Sequence, residues 1–406
     1  MVISGSVDDG KSTVVGRLLN DVGAVPTDQL EAVARASRER GSQEVDLSLL
    51  TDGLRAEREQ GITIDVAYRY FTSGRRRFVI ADAPGHVQYT RNMVTGASTA
   101  QLAVILVDAR RGVVEQTRRH AAVAALLRVP HVVLAVNKMD LVGYDEGVFA
   151  AIVREFSGLD GATAVPVSAL RGDNVARRSP RMPWYDGPTL LQWLEEVPVA
   201  GSDVESAVRL PVQYVIRPRV GEHRDYRGYA GVLVSGRLRV GDEVVVLPSK
   251  RRSTVVGIDV LGREVRSARA GQSVAVRLAD DIDLSRGDVI ASAAGAPEPV
   301  RELLATVCQL SDEPLREGAR VLLKTGTRTV QAVVREITGR LDVSTLLRGP
   351  AGGALAGNDI GTVRIRTADP VVVDGYRDNR STGAFILIDP VQGTTVTAGL
   401  VDAGEP

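Results

Sequence analysis

Cysteine is almost missing from this 406-residue chain. Cys308 stands alone, so no disulfide can form within the chain and the fold has to rest on buried apolar surface. Histidine is nearly as sparse: His86, His120, His131 and His223 are too scattered to suggest a zinc site. Net charge is absent, since 50 acidic residues balance 50 basic ones, which removes any broad attraction to nucleic acid but leaves local patches open. Long apolar runs are lacking too. None approaches the roughly 20 residues of a bilayer-crossing helix, and no charged-then-apolar leader opens the chain, so a soluble, cytoplasmic, multidomain protein is expected.

Lysine is the most telling scarcity. Only Lys11, Lys138, Lys250 and Lys324 occur, so arginine supplies nearly all of the positive charge. A residue this rare should persist where a compact, rotatable ammonium is needed, and a tight phosphate-cradling loop is such a place. Lys11 lies in Gly5-Ser6-Val7-Asp8-Asp9-Gly10-Lys11-Ser12-Thr13, which matches G-x-x-x-x-G-K-[ST]. In that pattern backbone N–H groups wrap a triphosphate, the lysine reaches its outer phosphates and the serine hydroxyl faces Mg²⁺. The spacing of Val14, Val15, Leu18 and Leu19 predicts a helix just after the loop, whose N-terminus adds partial positive charge.

Three more segments follow in the order a GTPase requires. Phe78 to Asp82 reads as a buried strand ending in an acid for Mg²⁺, with Ala83, Pro84 and Gly85 next and the Gly85 amide facing the terminal phosphate. A second strand, Leu102 to Val107, ends in Asp108. His131 to Val136 runs into Asn137-Lys138-Met139-Asp140, where a carboxylate can accept both N–H donors of a guanine edge that adenine lacks. Val165 to Val167 ends in Ser168-Ala169-Leu170, and the Ala169 amide is placed to donate to the guanine carbonyl. Every candidate ligand therefore ends a strand, as in a mostly parallel α/β sheet with flanking helices.

Thr27 to Arg40 and Val45 to Glu59 read as helices. Gly187-Pro188 opens a short helix whose Leu190, Leu191 and Leu194 close the first core. Past about Ser202 strand alternation takes over, with turns at Val240-Gly241-Asp242, Ala270-Gly271-Gln272 and Arg286-Gly287-Asp288. Later strands are predicted at Ala305 to Leu310, Arg320 to Leu323, Gln331 to Ile337, Ile360 to Arg366 and Ala384 to Ile388. The predicted architecture is a P-loop GTPase domain over 1–203, then two all-β barrels over 204–298 and 299–406. Only Met1 to Ser4 precede the phosphate loop, fewer than the roughly five or six residues of a typical strand, so the first strand is expected short, from a misassigned start or a fragment.

Several strings resemble translational-type GTPases related to elongation factor Tu: Gly61-Ile62-Thr63-Ile64, Asp82-Ala83-Pro84-Gly85-His86 and Asn137-Lys138-Met139-Asp140. Within that group the chain is most similar to the GTPase large subunits of heterodimeric sulfate adenylyltransferases. The stretches that carry this are Gly5 to Thr13, Leu50 to Tyr70, Gln88 to Ser98, Met182 to Pro188 and Tyr376 to Asp389. Ala83 stands where that family usually has threonine, a side chain that is not a ligand.

The resemblance implies GTP, GDP and Mg²⁺ as cofactors. It implies that Thr63 joins Ser12 and Asp82 on the metal, that His86 orients the attacking water, and that Val7 and Ile62 restrain His86. Asp8 is read either as a ligand for a monovalent cation or as an exposed aspartate leading the helix. The implied partner is a small catalytic subunit that makes adenosine 5′-phosphosulfate from ATP and sulfate, with no membrane or nucleic acid involved. No second phosphate loop follows, so an adenylylsulfate kinase domain is not expected. The alternative is a translation factor delivering aminoacyl-tRNA, which needs basic and aromatic barrel surfaces; Arg217, Arg219, Arg224, Arg227, Arg251 and Arg252 are interleaved with Glu222, Asp225, Asp242 and Glu243.

Overall fold

Strand β4, Leu102–Asp108, is buried at every position, as a central parallel strand covered on both faces should be. In the computed structural model it lies beside β1, Val2–Gly5, with Gly5 opposite Leu106. The structure describes residues 1–39, 45–50, 67–82, 90–156, 162–199, 206–218, 226–342 and 347–402. With β2 (Ala67–Thr72), β3 (Arg77–Asp82), β5 (His131–Asn137) and β6 (Thr163–Pro166), these strands form one sheet ordered β2-β3-β1-β4-β5-β6. Only β2 runs antiparallel to its neighbour. The four-residue β1 is fully buried within the sheet.

Helices α1 (Lys11–Asp21), α2 (Thr27–Glu39), α3 (Thr90–Ser98), α4 (Glu115–Leu126), α5 (Glu146–Glu155) and α6 (Leu190–Glu196) accompany the sheet. Val14, Val15 and Leu18 of α1 are fully buried in the sheet's core cluster, as their spacing predicts. Helix α6 starts two residues later than Gly187-Pro188 suggests, because Thr189 and Gln192 cap it reciprocally. Leu190 and Leu194 are fully buried in the first core. Of the expected helix Val45 to Glu59, the described part is a single 3₁₀ turn, Leu47–Leu50. Ser48 bonds back to the Asp46 carboxylate through both its N–H and its hydroxyl, which fixes a turn at that point. This turn packs so closely on α1 that a Cβ on Gly16 would lie 2.1 Å from the Leu47 oxygen.

The chain divides into two compact units, Met1–Val199 and Ala200–Asp342 with Leu347–Pro406. The second unit holds two antiparallel barrels. The first is built on the ladder β7 (Arg209–Pro211), β12 (Val289–Ser292), β9 (Glu243–Leu247), β10 (Arg251–Val260), β11 (Ser273–Leu278) and β8 (Gly228–Val232). The predicted turns fall where expected: Asp242, Gln272 and Asp288 each accept, through the side chain, the N–H three residues back.

The second barrel closes through β14 (Arg320–Thr325), β17 (Ala384–Ile388), β18 (Thr395–Val401), β13 (Val300–Gln309), β16 (Ile360–Val371) and β15 (Arg328–Leu341), with β15 pairing back to β14. Four of the five later strands predicted from sequence lie inside these elements, and the fifth, Ala305 to Leu310, runs one residue past the strand end at Gln309. Arg209 and Asp374 join the barrels by a nearly buried pair at 2.9 Å, and Thr382 also donates to Asp374. This architecture matches the expected α/β domain followed by β-barrels.

Candidate functional site

The β1–α1 loop turns sharply at Gly10, whose φ of 90° lies in the left-handed region. Space demands glycine as well, since a Cβ there would come within 2.4 Å of Asn137 Nδ2. The Lys11 ammonium donates to the oxygens of Gly5 at 2.8 Å and Ser6 at 2.9 Å, so it is held inside the loop. Burial lowers its pKa, opposed by the nearby carboxylates of Asp82, Asp9 and Asp8. Asp9 is itself buried and raised by burial, although its carboxylate accepts from the Ser6 N–H at 2.5 Å. Ser12 and Thr13 are half-buried in the first turn of α1, Val7 is half-buried and Asp8 is exposed.

Asn137 at the end of β5 joins two loops. Its Nδ2 donates to the Asp9 oxygen at 2.8 Å, and its Oδ1 accepts the Ala169 N–H at 3.0 Å. Lys138 has a positive φ, and its ammonium reaches both the Asp8 oxygen and, at 3.0 Å, the Asp108 carboxylate. Ser168 donates to Asp140 at 2.7 Å, which orients the carboxylate expected to meet guanine. Met139 is fully buried in the core, so its side chain anchors this loop. Leu170 is 43% exposed, and Arg17 holds the oxygens of Ala169 and Leu170. Asp82 is buried at the end of β3.

The loops Gly5 to Thr13, Asn137 to Asp140 and Ser168 to Leu170 are thus brought together, with Asp82 coupled electrostatically to Lys11. The Ala169 N–H is occupied by Asn137, so a base carbonyl would have to share or displace that bond. Thr63, Ala83, Pro84, Gly85, His86 and Ile62 lie outside the described residues.

Sequence reasoning gave no role to Asp108, Arg110, Arg111 or Arg17. Burial alone would raise Asp108, but hydrogen bonds from the Arg110 side chain, its backbone and Lys138 hold it well below the usual carboxylate range. Arg111 donates to the Val7 oxygen at 3.2 Å. A usable signal was present for Asp108: it ends a strand, in register with Asn137.

Residues 1–215 match the family model described as elongation factor Tu GTP binding domain, and 302–402 match the GTP-eEF1A C-terminal domain-like model. A "Sulfate adenylyltransferase subunit 1" of Laribacter hongkongensis is 47% identical over 415 residues, covering 100% of this chain and 85% of that protein. Its counterpart from Aeromonas salmonicida is 48% identical, covering 98% and 86%. This chain belongs to the sulfate adenylyltransferase subunit 1 family. The family also meets it in a longer setting: a "Bifunctional enzyme CysN/CysC" of Mycobacterium tuberculosis is 53% identical over 408 residues, 99% of this chain. The chain spans 66% of that relative's length. The loops Gly5 to Thr13, Asn137 to Asp140 and Ser168 to Leu170 all fall within the residues matched to the elongation factor Tu GTP binding domain. Among the described residues, no helix is long and apolar enough to cross a membrane.

Proposed function

We propose that this chain is the GTP-hydrolysing regulatory subunit of a sulfate adenylyltransferase, with GTP chemistry in 1–203 and barrels over 204–298 and 299–406. The observation that carries it is the pair of hydrogen bonds made by the Asn137 side chain, which ties a phosphate-binding loop to a guanine-type loop within a chain of this family. In this reading the backbone from Gly5 to Thr13 wraps the phosphates, Lys11 neutralises the outer ones, and Asp140 accepts the two guanine N–H donors. Ser12 and Asp82 offer a hydroxyl and a carboxylate, hard oxygen donors that suit Mg²⁺ completed by phosphate oxygens. The ion supplies charge neutralisation on the triphosphate. Thr63 and His86 complete the hydrolytic set by resemblance.

The coupled reaction is the formation of adenosine 5′-phosphosulfate from ATP and sulfate on a small catalytic subunit. That anhydride is formed strongly uphill, so GTP turnover here drives the partner's conformational cycle. The test is reconstitution: only the pair should make adenosine 5′-phosphosulfate at a useful rate, and GTP should raise the yield above that reached with ATP and sulfate alone. A non-hydrolysable GTP analogue should not add product. A complex with charged tRNA, strongly weakened by salt and without effect on that synthesis, would favour a translation factor instead.

A further inference from the structure

Three arginines on the outside of the second barrel surround one groove. Across neighbouring strands Arg320 stands opposite Val333, and Val333 stands opposite Arg366, so the two guanidinium stems flank the same apolar side chain. Arg335 lies two residues beyond Val333 along β15. All three are exposed, and none has an ion-pair or hydrogen-bond partner among the described residues. Between them is a cavity of about 510 Å³, whose floor includes the half-buried Leu322 and Val333.

Among the described residues no carboxylate forms an ion pair with any of these three arginines. Glu336 is paired with Arg364 at 3.5 Å, and Asp389 accepts the N–H groups of Val391 and Gln392. Glu302 stands opposite Arg366 in the ladder without forming a bond to it within ion-pair distance. Gathering three like charges around one apolar floor does nothing for barrel folding, since the strands are held by their ladders and inner core. It suits a ligand that brings negative charge and apolar side chains together. No residue lining the groove is aromatic, so it offers nothing for bases to stack on, and a phosphate backbone has no use for an apolar floor.

We propose that this face of the second barrel docks an acidic, apolar-interleaved segment of a protein partner, with Arg320, Arg335 and Arg366 pairing with its carboxylates and Leu322 and Val333 receiving its apolar side chains. The inference is independent of the nucleotide site. It is tested on the full chain with a short fluorescein-labelled peptide alternating glutamate and leucine, a matched lysine–leucine peptide, and labelled oligouridylate, each read by anisotropy. The acidic peptide should bind and the lysine peptide should not. Its affinity should fall at least ~10-fold in R320E/R335E/R366E and by a smaller factor in R320Q/R335Q/R366Q, with GTP binding and the melting curve of each variant used to confirm folding. Leu322→Gln should weaken it further, which charge attraction alone would not produce. Failure of the acidic peptide to bind, or equal binding to the reversed variant, overturns the proposal. Oligouridylate binding that is lost on charge reversal, with no peptide binding, would make the face a nucleic-acid surface instead.

Discussion

Asn137 donates its side-chain N–H to the backbone oxygen of Asp9 at 2.8 Å, across 128 residues of sequence. The same amide accepts from Ala169, so one side chain sets the distance between the loops expected to hold the phosphates and the base.

Asn137→Ala should therefore act on stability and binding together. It leaves a buried acceptor on Asp9 and a buried donor on Ala169 without partners, a loss of about 1–3 kcal/mol. Urea unfolding should show that loss, and nucleotide titration should show GTP and GDP affinity falling at least ~10-fold. A variant that melts with the wild type yet no longer binds nucleotide would mean the bond contributes only to binding.

Asp140→Asn should move preference from guanine toward xanthine nucleotides, whose edge offers an acceptor to the new amide. The Ser168 hydroxyl can still bond the side-chain oxygen, so the loop should keep its shape. Wild-type protein that bound ATP as well as GTP would remove the guanine assignment.

His86→Ala should leave GTP affinity nearly intact while lowering partner-stimulated hydrolysis by roughly 10²-fold or more, the range for losing a proton-transfer or water-positioning group. Lys11→Ala should instead weaken triphosphate binding itself. Similar small effects from both substitutions would sink the division of roles.

Acid sensitivity should trace to His120. Burial lowers its pKa from 6.5 to about 3, helped by the charges of Lys11 and Arg119. Between those values the unfolded chain binds a proton that the folded chain does not, so stability falls as pH drops from 6.5 toward 3 and is flat above. The slope should approach ~1.4 kcal/mol per pH unit. Asp108, held well below its ordinary 3.8, adds a further loss once the pH falls to about 3.8, at the acid end of this window and beyond it. Unfolding free energy against pH should be visibly flatter over this window in His120→Gln, and an unchanged slope would assign the acid limb to other groups.

The nucleotide motifs were legible because loops that wrap phosphate need fixed spacings of glycine, lysine and hydroxyl, and such spacings survive as strings. The sheet was legible for a related reason: strands buried on both faces must be apolar throughout, as Leu102 to Val107 is. The barrel turns showed themselves through glycine followed by a side chain able to accept the N–H three residues back. Long-range choices left no such trace. That Lys138 divides its ammonium between Asp8 and Asp108, that Arg17 and Arg111 hold loop carbonyls, and that Arg209 finds Asp374 165 residues away all depend on which surfaces pack together. Arginine is so common here that its sequence position says little about its partner. The elements and the chemistry at their ends can be read residue by residue, because they follow from local backbone and side-chain requirements; which buried donors meet which acceptors is settled by folding, because that pairing depends on distances that exist only once the chain has packed.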